Sequence, residues 1–187
     1  IFPDKEAEEG FREKGRKKMF NKLNFKIMHS RVFQISTEPI VKENYLNEDT
    51  LNQGDDAFYD YCANIDDDER EEDIACLVNE TLPKGMFELV GDGIIRFNGG
   101  VEQWKEEYIA NIRKKAEDLT VENMLEWSST HYLKEAITNP LHTDYYFYLD
   151  KEGWQTYAEQ SFAFMQLVCS LEPGTILYIG GVIDYHF

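Results

Sequence analysis

Basic side chains, cysteines and long apolar runs are all scarce in this sequence. Nineteen Lys and Arg stand against 36 Asp and Glu, a formal net charge of -17 at pH 7. Such an excess repels itself in a compact chain and argues against direct binding to nucleic acid, which requires a basic surface. No apolar stretch reaches the roughly 18 to 20 residues of a membrane span. Ile1 opens into charged residues without the pattern of a signal peptide, and a first residue other than Met leaves an upstream segment open. The three cysteines, Cys62, Cys76 and Cys169, are odd in number and far apart, which argues against a disulfide framework. Reduced, largely buried thiols are expected, and with them a cytoplasmic compartment.

Aromatic and apolar residues are plentiful by contrast, at 14% and 42%, and 187 residues suffice for one large or two small domains. The acidity is a local property. Between Glu38 and Asp92 lie seventeen carboxylates and only three cations, Lys42, Arg70 and Lys84. That stretch alone supplies -14 of the net charge. It is not a disordered acidic tail, since such tails are poor in aromatics and Phe58, Tyr59 and Tyr61 sit inside it.

Periodicity gives the elements. Residues 4–23 have helix-forming composition with a basic cluster at Arg16, Lys17 and Lys18, weakened by Gly10 and Gly15, and read as a frayed surface helix rather than a nucleic-acid arm. Residues 24–36 alternate and read as one or two strands, and residues 38–53 as a loop. Phe58, Tyr61, Cys62 and Ile65 recur at helical spacing, and Ile74, Leu77 and Val78 begin a second apolar set. The spacing thus predicts two acidic helices, broken near residues 64–67 and stopped at Leu82-Pro83. Residues 86–97 around Gly91-Asp92-Gly93 predict a hairpin. Trp104, Tyr108, Ile112, Ala116 and Leu119 predict a helix, and Thr120 caps another that runs to Asn139-Pro140. Residues 143–149 predict a strand, 150–153 a turn, 154–171 a helix, and 176–187 a strand pair or one kinked strand around Gly180-Gly181. The expected fold is a single α+β domain, 1–187, with a small antiparallel sheet, several amphipathic helices and an acidic helical insertion.

Ten carboxylates fall between residues 55 and 73: Asp55, Asp56, Asp60, Asp66, Asp67, Asp68, Glu69, Glu71, Glu72 and Asp73. Acids in the first turn of a helix complement its dipole and supply its cap, which accounts for some of them. A calcium loop is disfavoured, because Asp66-Asp67-Asp68 lacks the alternation, the glycine and the distal glutamate of an EF-hand. The remaining readings are a solvated face or a partner surface. On a helix rising about 1.5 Å per residue, ten charges over nineteen positions give one per roughly 3 Å. A nucleic-acid strand carries one phosphate per about 3.4 Å of axis. The spacing therefore suits a basic, nucleic-acid-binding protein such as a nuclease or its nucleoprotein complex, with the flanking aromatics standing where bases would.

Catalytic patterns are nearly absent. The chain has no phosphate loop, no Gly-x-Gly-x-x-Gly pattern before a helix and no Gly-x-Ser-x-Gly elbow. Cys169 falls on an apolar helix face and reads as packed. His142-Thr143-Asp144 followed by His186 at the end of a strand pattern resembles the non-heme iron, 2-oxoglutarate-dependent oxygenases. That resemblance implies iron bound by His142, Asp144 and His186 in a β-barrel, but residues 154–171 read as helix where the barrel needs a strand. The leading reading is a non-enzymatic acidic inhibitor or adaptor without cofactor, similar as a class to anti-restriction and anti-CRISPR proteins of mobile genetic elements. An immunity protein against a basic nuclease toxin is the alternative that shares its electrostatics.

Overall fold

The computed structural model describes residues 30–149 and 157–186 of the chain. Within them, four α-helices and a six-stranded mixed sheet make an α+β fold. The predicted helix over residues 4–23 and turn at 150–153 lie outside the described residues.

The spine of the sheet is its last strand, here called β6 (Ile176–His186), rich in the β-branched and aromatic residues that suit a pleated surface. Along one edge it pairs antiparallel with β1 (Ser30–Ser36). Along the other it pairs with two short strands in succession, β4 (Ile94–Phe97) beside its first half and β2 (Tyr61–Asn64) beside its last. The strand β3 (Phe87–Gly91) continues the sheet beyond β4 as the predicted hairpin, and β5 (Tyr146–Leu149) runs parallel to β1. That parallel pair makes the sheet mixed.

Of the two forms expected around Gly180-Gly181, a strand pair or one kinked strand, the structure has the single strand. The two glycines mark a bulge, since Phe33 pairs with Val182 and Ile35 with Ile179, leaving β6 one residue longer than β1 across this step. The buried Gln34 side chain fills the break, its Oε1 accepting from Gly181 N at 2.9 Å and from Leu46 N at 2.8 Å. A Cβ on Gly181 would lie 2.0 Å from Leu46 O. Glycine is what lets the loop after β1 lie directly on the sheet.

The sheet divides the core, because adjacent residues of its strands, Val32 and Phe33 of β1, Tyr148 and Leu149 of β5, Val182 and Ile183 of β6, face opposite sides. Leu177, Ile179 and Val182 join Phe33, Ile35, Phe147 and Leu149 beneath α1 (Asp67–Cys76), a π-turn (Leu77–Thr81) and α4 (Ser161–Val168). Ile183 and Tyr185 belong with Val32, Leu46, Leu51, Tyr59 and Cys62, a second cluster covered by the long connection between β1 and β2. Helices α2 (Val101–Glu117) and α3 (Trp127–Thr138) pack on each other, and α2 has no buried residue.

Three expected helices need correction. Residues 58–65 hold a strand, because Tyr61–Asn64 completes the ladder of β6 and Tyr59 inserts into the second core cluster. The helix expected from Thr120 starts only at Trp127. Asn123 accepts from Thr120 N at 2.7 Å and donates to Asp118 O at 2.9 Å, which closes a separate turn before it. The helix expected over 154–171 is confined, in the described residues, to Ser161–Val168, since Glu159 exchanges backbone hydrogen bonds with Phe147 of β5.

Candidate functional site

The acidic stretch divides into two populations once folded. One is consumed by the fold. Asp66 caps α1, its Oδ1 accepting from Glu69 N at 2.8 Å, and Asp67, Asp68 and Glu69 occupy the first turn, where negative charge complements the helix dipole. Ile74 and Arg70, four residues apart, form the buried face of α1.

Two arginines supply the internal counter-charge. Arg31 of β1 reaches three carboxylates at 2.5 Å each, Glu69 and Asp73 of α1 and Asp184 of β6. Its burial opposes the charge, but the hydrogen bond from Arg31 to Asp73 and the charges of Asp73, Asp184 and Glu69 outweigh that, so the guanidinium pKa is raised. Arg70 closes the gap between β4 and β2 on the edge of β6. Its Nε donates to Gly180 O at 2.8 Å and its Nη2 to Ile179 O at 2.7 Å, satisfying carbonyls that no strand reaches. Nη1 then donates to Asp92 at 2.8 Å. The guanidinium fits because Gly93 has no Cβ, which would stand 2.6 Å from Nη2.

The second population points outward. Asp55, Asp56, Asp68, Glu71 and Glu72 are exposed, and among the described residues no ion pair engages them. Asp68, Glu71 and Glu72 stand at i, i+3 and i+4 on the solvent face of α1, a like-charge arrangement that costs a few tenths of a kcal/mol per pair. Two further acids are lightly engaged. Asp67 meets Lys42 at 2.9 Å with both side chains mostly exposed, and this hydrogen bond, with the Lys42 charge, lowers the Asp67 pKa. Asp60 lies 3.7 Å from His186 Nδ1.

The expected charge row is thus shorter than the sequence spacing implies. Helical geometry applies from Asp67 onward and not from Asp55, and three of the ten acids, Asp66, Glu69 and Asp73, serve the fold. Tyr59 is also lost to the surface, being fully buried with its hydroxyl accepting from Ala158 N at 2.9 Å, whereas Phe58 and Tyr61 are about half exposed. Sequence reasoning missed Arg31 and the role of Arg70. The available signal was the i, i+4 pair Glu69 and Asp73, and an arginine placed mid-helix among acids with Ile74 on its own face.

The histidine pattern does not converge. His142 adopts a left-handed backbone (φ 51) after α3, and its Nε2 lies 3.0 Å from Asn111 Nδ2 of α2. Asp144 is held through its backbone carbonyl, which accepts from Tyr185 OH, and His186 lies at the end of β6 beside Asp60. Among the described residues no three His, Cys, Asp or Glu side chains gather as a metal site. Cys62 is buried, while Cys76 and Cys169 are half-buried. Burial pushes the Cys169 thiol up, with Lys105 opposing and Glu102 adding to the shift, consistent with a packed and unreactive sulfur.

No family model, curated protein or solved structure matches the chain. Among the described residues no helix is long and apolar enough to cross a membrane.

Proposed function

We propose that this chain is a non-enzymatic acidic inhibitor or adaptor that occupies a basic, normally nucleic-acid-binding surface of a partner protein. One observation carries the reading. Among the described residues the fold matches Glu69, Asp73 and Asp92 with arginines and spends Asp66 on a cap, yet leaves Asp55, Asp56, Asp68, Glu71 and Glu72 exposed and without an ion pair. Internal packing explains the first group and, apart from the place of Asp68 in the first turn of α1, offers no role among the described residues for the second, in which the repulsion of Asp68, Glu71 and Glu72 is relieved by a partner that brings positive charge.

The partner class is a nuclease or its nucleoprotein complex, as in anti-restriction and anti-CRISPR systems, and the protein would act in the cytoplasm without a cofactor. An immunity protein against a basic nuclease toxin rests on the same surface and differs in the partner. Affinity capture with the intact chain tests the reading. The bound protein should be released by raising salt through the range where the Debye length falls from about 10 Å to about 3 Å, and by added duplex DNA at constant ionic strength. A partner that stays bound under both treatments would contradict it.

A further inference from the structure

At the tip of the α2–α3 hairpin, far in sequence from the acidic stretch, the chain leaves a concentrated apolar surface open. Val121 is 85% exposed, Met124 52%, Leu125 92% and Trp127 73%, four large apolar side chains within seven residues, and Tyr132 follows at 58% on α3. Isolated exposed apolar residues are ordinary, but a cluster of this density marks an interaction surface. It is also partly ordered for one. The Trp127 ring stacks on His131 at 4.4 Å, and Lys115 Nζ lies 5.6 Å over the Tyr132 ring.

Charge identifies the occupant. Residues 113–134 carry four cations, Arg113, Lys114, Lys115 and Lys134, and four acids, Glu117, Asp118, Glu122 and Glu126. This end is therefore neutral in a chain of net charge -17, and charge does not oppose the meeting of two copies here. It is also self-complementary, since a two-fold axis through the tip brings the basic end of α2 in one copy towards the acidic turn of the other. A basic partner is drawn instead to the face of α1.

The area fits as well. Side chains of this size and exposure present on the order of 600 Å², against about 800 Å² per partner in a standard interface, and the charged rim can supply the difference. We infer that the tip of the hairpin is a self-association surface on which a second copy of this chain packs, joining the two hairpins as a four-helix cluster. The proposal stands independently of the partner reading above.

Sedimentation equilibrium of the full chain tests it. At about 100 μM, above the micromolar dissociation constant that a contact of this size supports, the expected species is a dimer of the 21.9 kDa chain. The double substitution Val121→Glu with Leu125→Glu touches side chains almost wholly in solvent. It should leave the circular dichroism spectrum unchanged and weaken the dimer on the order of 100-fold or more. Reversing the basic rim (Arg113→Glu with Lys114→Glu) or the acidic rim (Glu122→Lys with Glu126→Lys) should weaken self-association. Mixing the two variants should restore it as a heterodimer. A monomeric wild type at this concentration, an assembly larger than a dimer, or a dimer indifferent to Val121→Glu with Leu125→Glu would overturn the inference.

Discussion

Arg31 shows how a single cation decides what an acidic surface does. Glu69, Asp73 and Asp184 converge on it from α1 and β6, and Asp73 and Asp184 are about one-fifth exposed, so without it their like charges would face one another with no counter-charge between them. Arg31→Met should destabilise the protein by about 3 kcal/mol in urea denaturation, since it leaves partly buried carboxylates facing one another. Adding Asp73→Asn should recover part of that loss. An Arg31→Met protein as stable as the wild type would mean that the cluster contributes nothing to the fold. Lys42 is a contrasting case, because its pair with Asp67 is solvent-exposed, and Lys42→Ala should change stability by no more than about 0.5 kcal/mol. The carboxylates were visible in the sequence but their division was not. Arg31 lies 38 residues before Glu69 and 153 before Asp184, and only the pairing of β1 with β6 brings it under α1.

At the scale of elements, the register of β1 on β6 depends on Gly180 and Gly181. Gly181→Ala would drive a methyl group into Leu46 O and should cost about 1 to 3 kcal/mol, the usual range for forcing atoms into a packed site. Thermal denaturation would reveal it as a lowered midpoint, and an unchanged midpoint would show that the loop moves away freely. The elements legible beforehand were those whose own sequence settles them. The β3–β4 hairpin closes on Gly91-Asp92-Gly93, the π-turn after α1 stops at Leu82-Pro83, and α2 follows its apolar stripe. Residues 58–65 misled because four apolar residues at helical spacing also fit a short strand. Tertiary pairing chose the strand, as Cys62 turns into the core and Tyr61 faces out. The α+β class was legible throughout; the bulge in β6 was not, since it requires Gln34 and Leu46 to meet the glycines from distant parts of the chain.

For the whole molecule, two surfaces and two core clusters set the response to conditions. Burial pushes the Cys62 thiol from 9.0 up to about 11, with the charge of Asp184 adding to it, and burial likewise raises the Tyr59, Tyr145 and Tyr185 hydroxyls. The unfolded chain therefore loses these protons before the folded one. The Cys62 contribution to stability is complete below pH 9.0 and is lost as pH rises towards about 11, whereas that of the three tyrosines is complete below pH 10.0 and is lost only at still higher pH. The denaturation midpoint should hold steady up to pH 9.0 and fall above it, with phenolate absorbance appearing together with unfolding. Phenolate that appears gradually in a chain still folded would show those rings to be accessible.

The central claim is that five particular carboxylates, and not net charge, recognise a basic partner. The direct measurement is affinity capture from host extract with three forms of the chain, read as the amount of the same protein retained. Replacing Asp55, Asp56 and Asp68 by Asn and Glu71 and Glu72 by Gln should preserve or raise stability. It should also weaken capture by several kcal/mol in total, at about 1 kcal/mol for each desolvated contact. Neutralising Glu106, Glu107, Glu117 and Glu126 removes nearly as much charge from α2 and the turn before α3 and should leave capture close to the wild-type level. Equal losses from both sets would reduce the effect to diffuse charge, and retention unchanged by the first set would contradict the account.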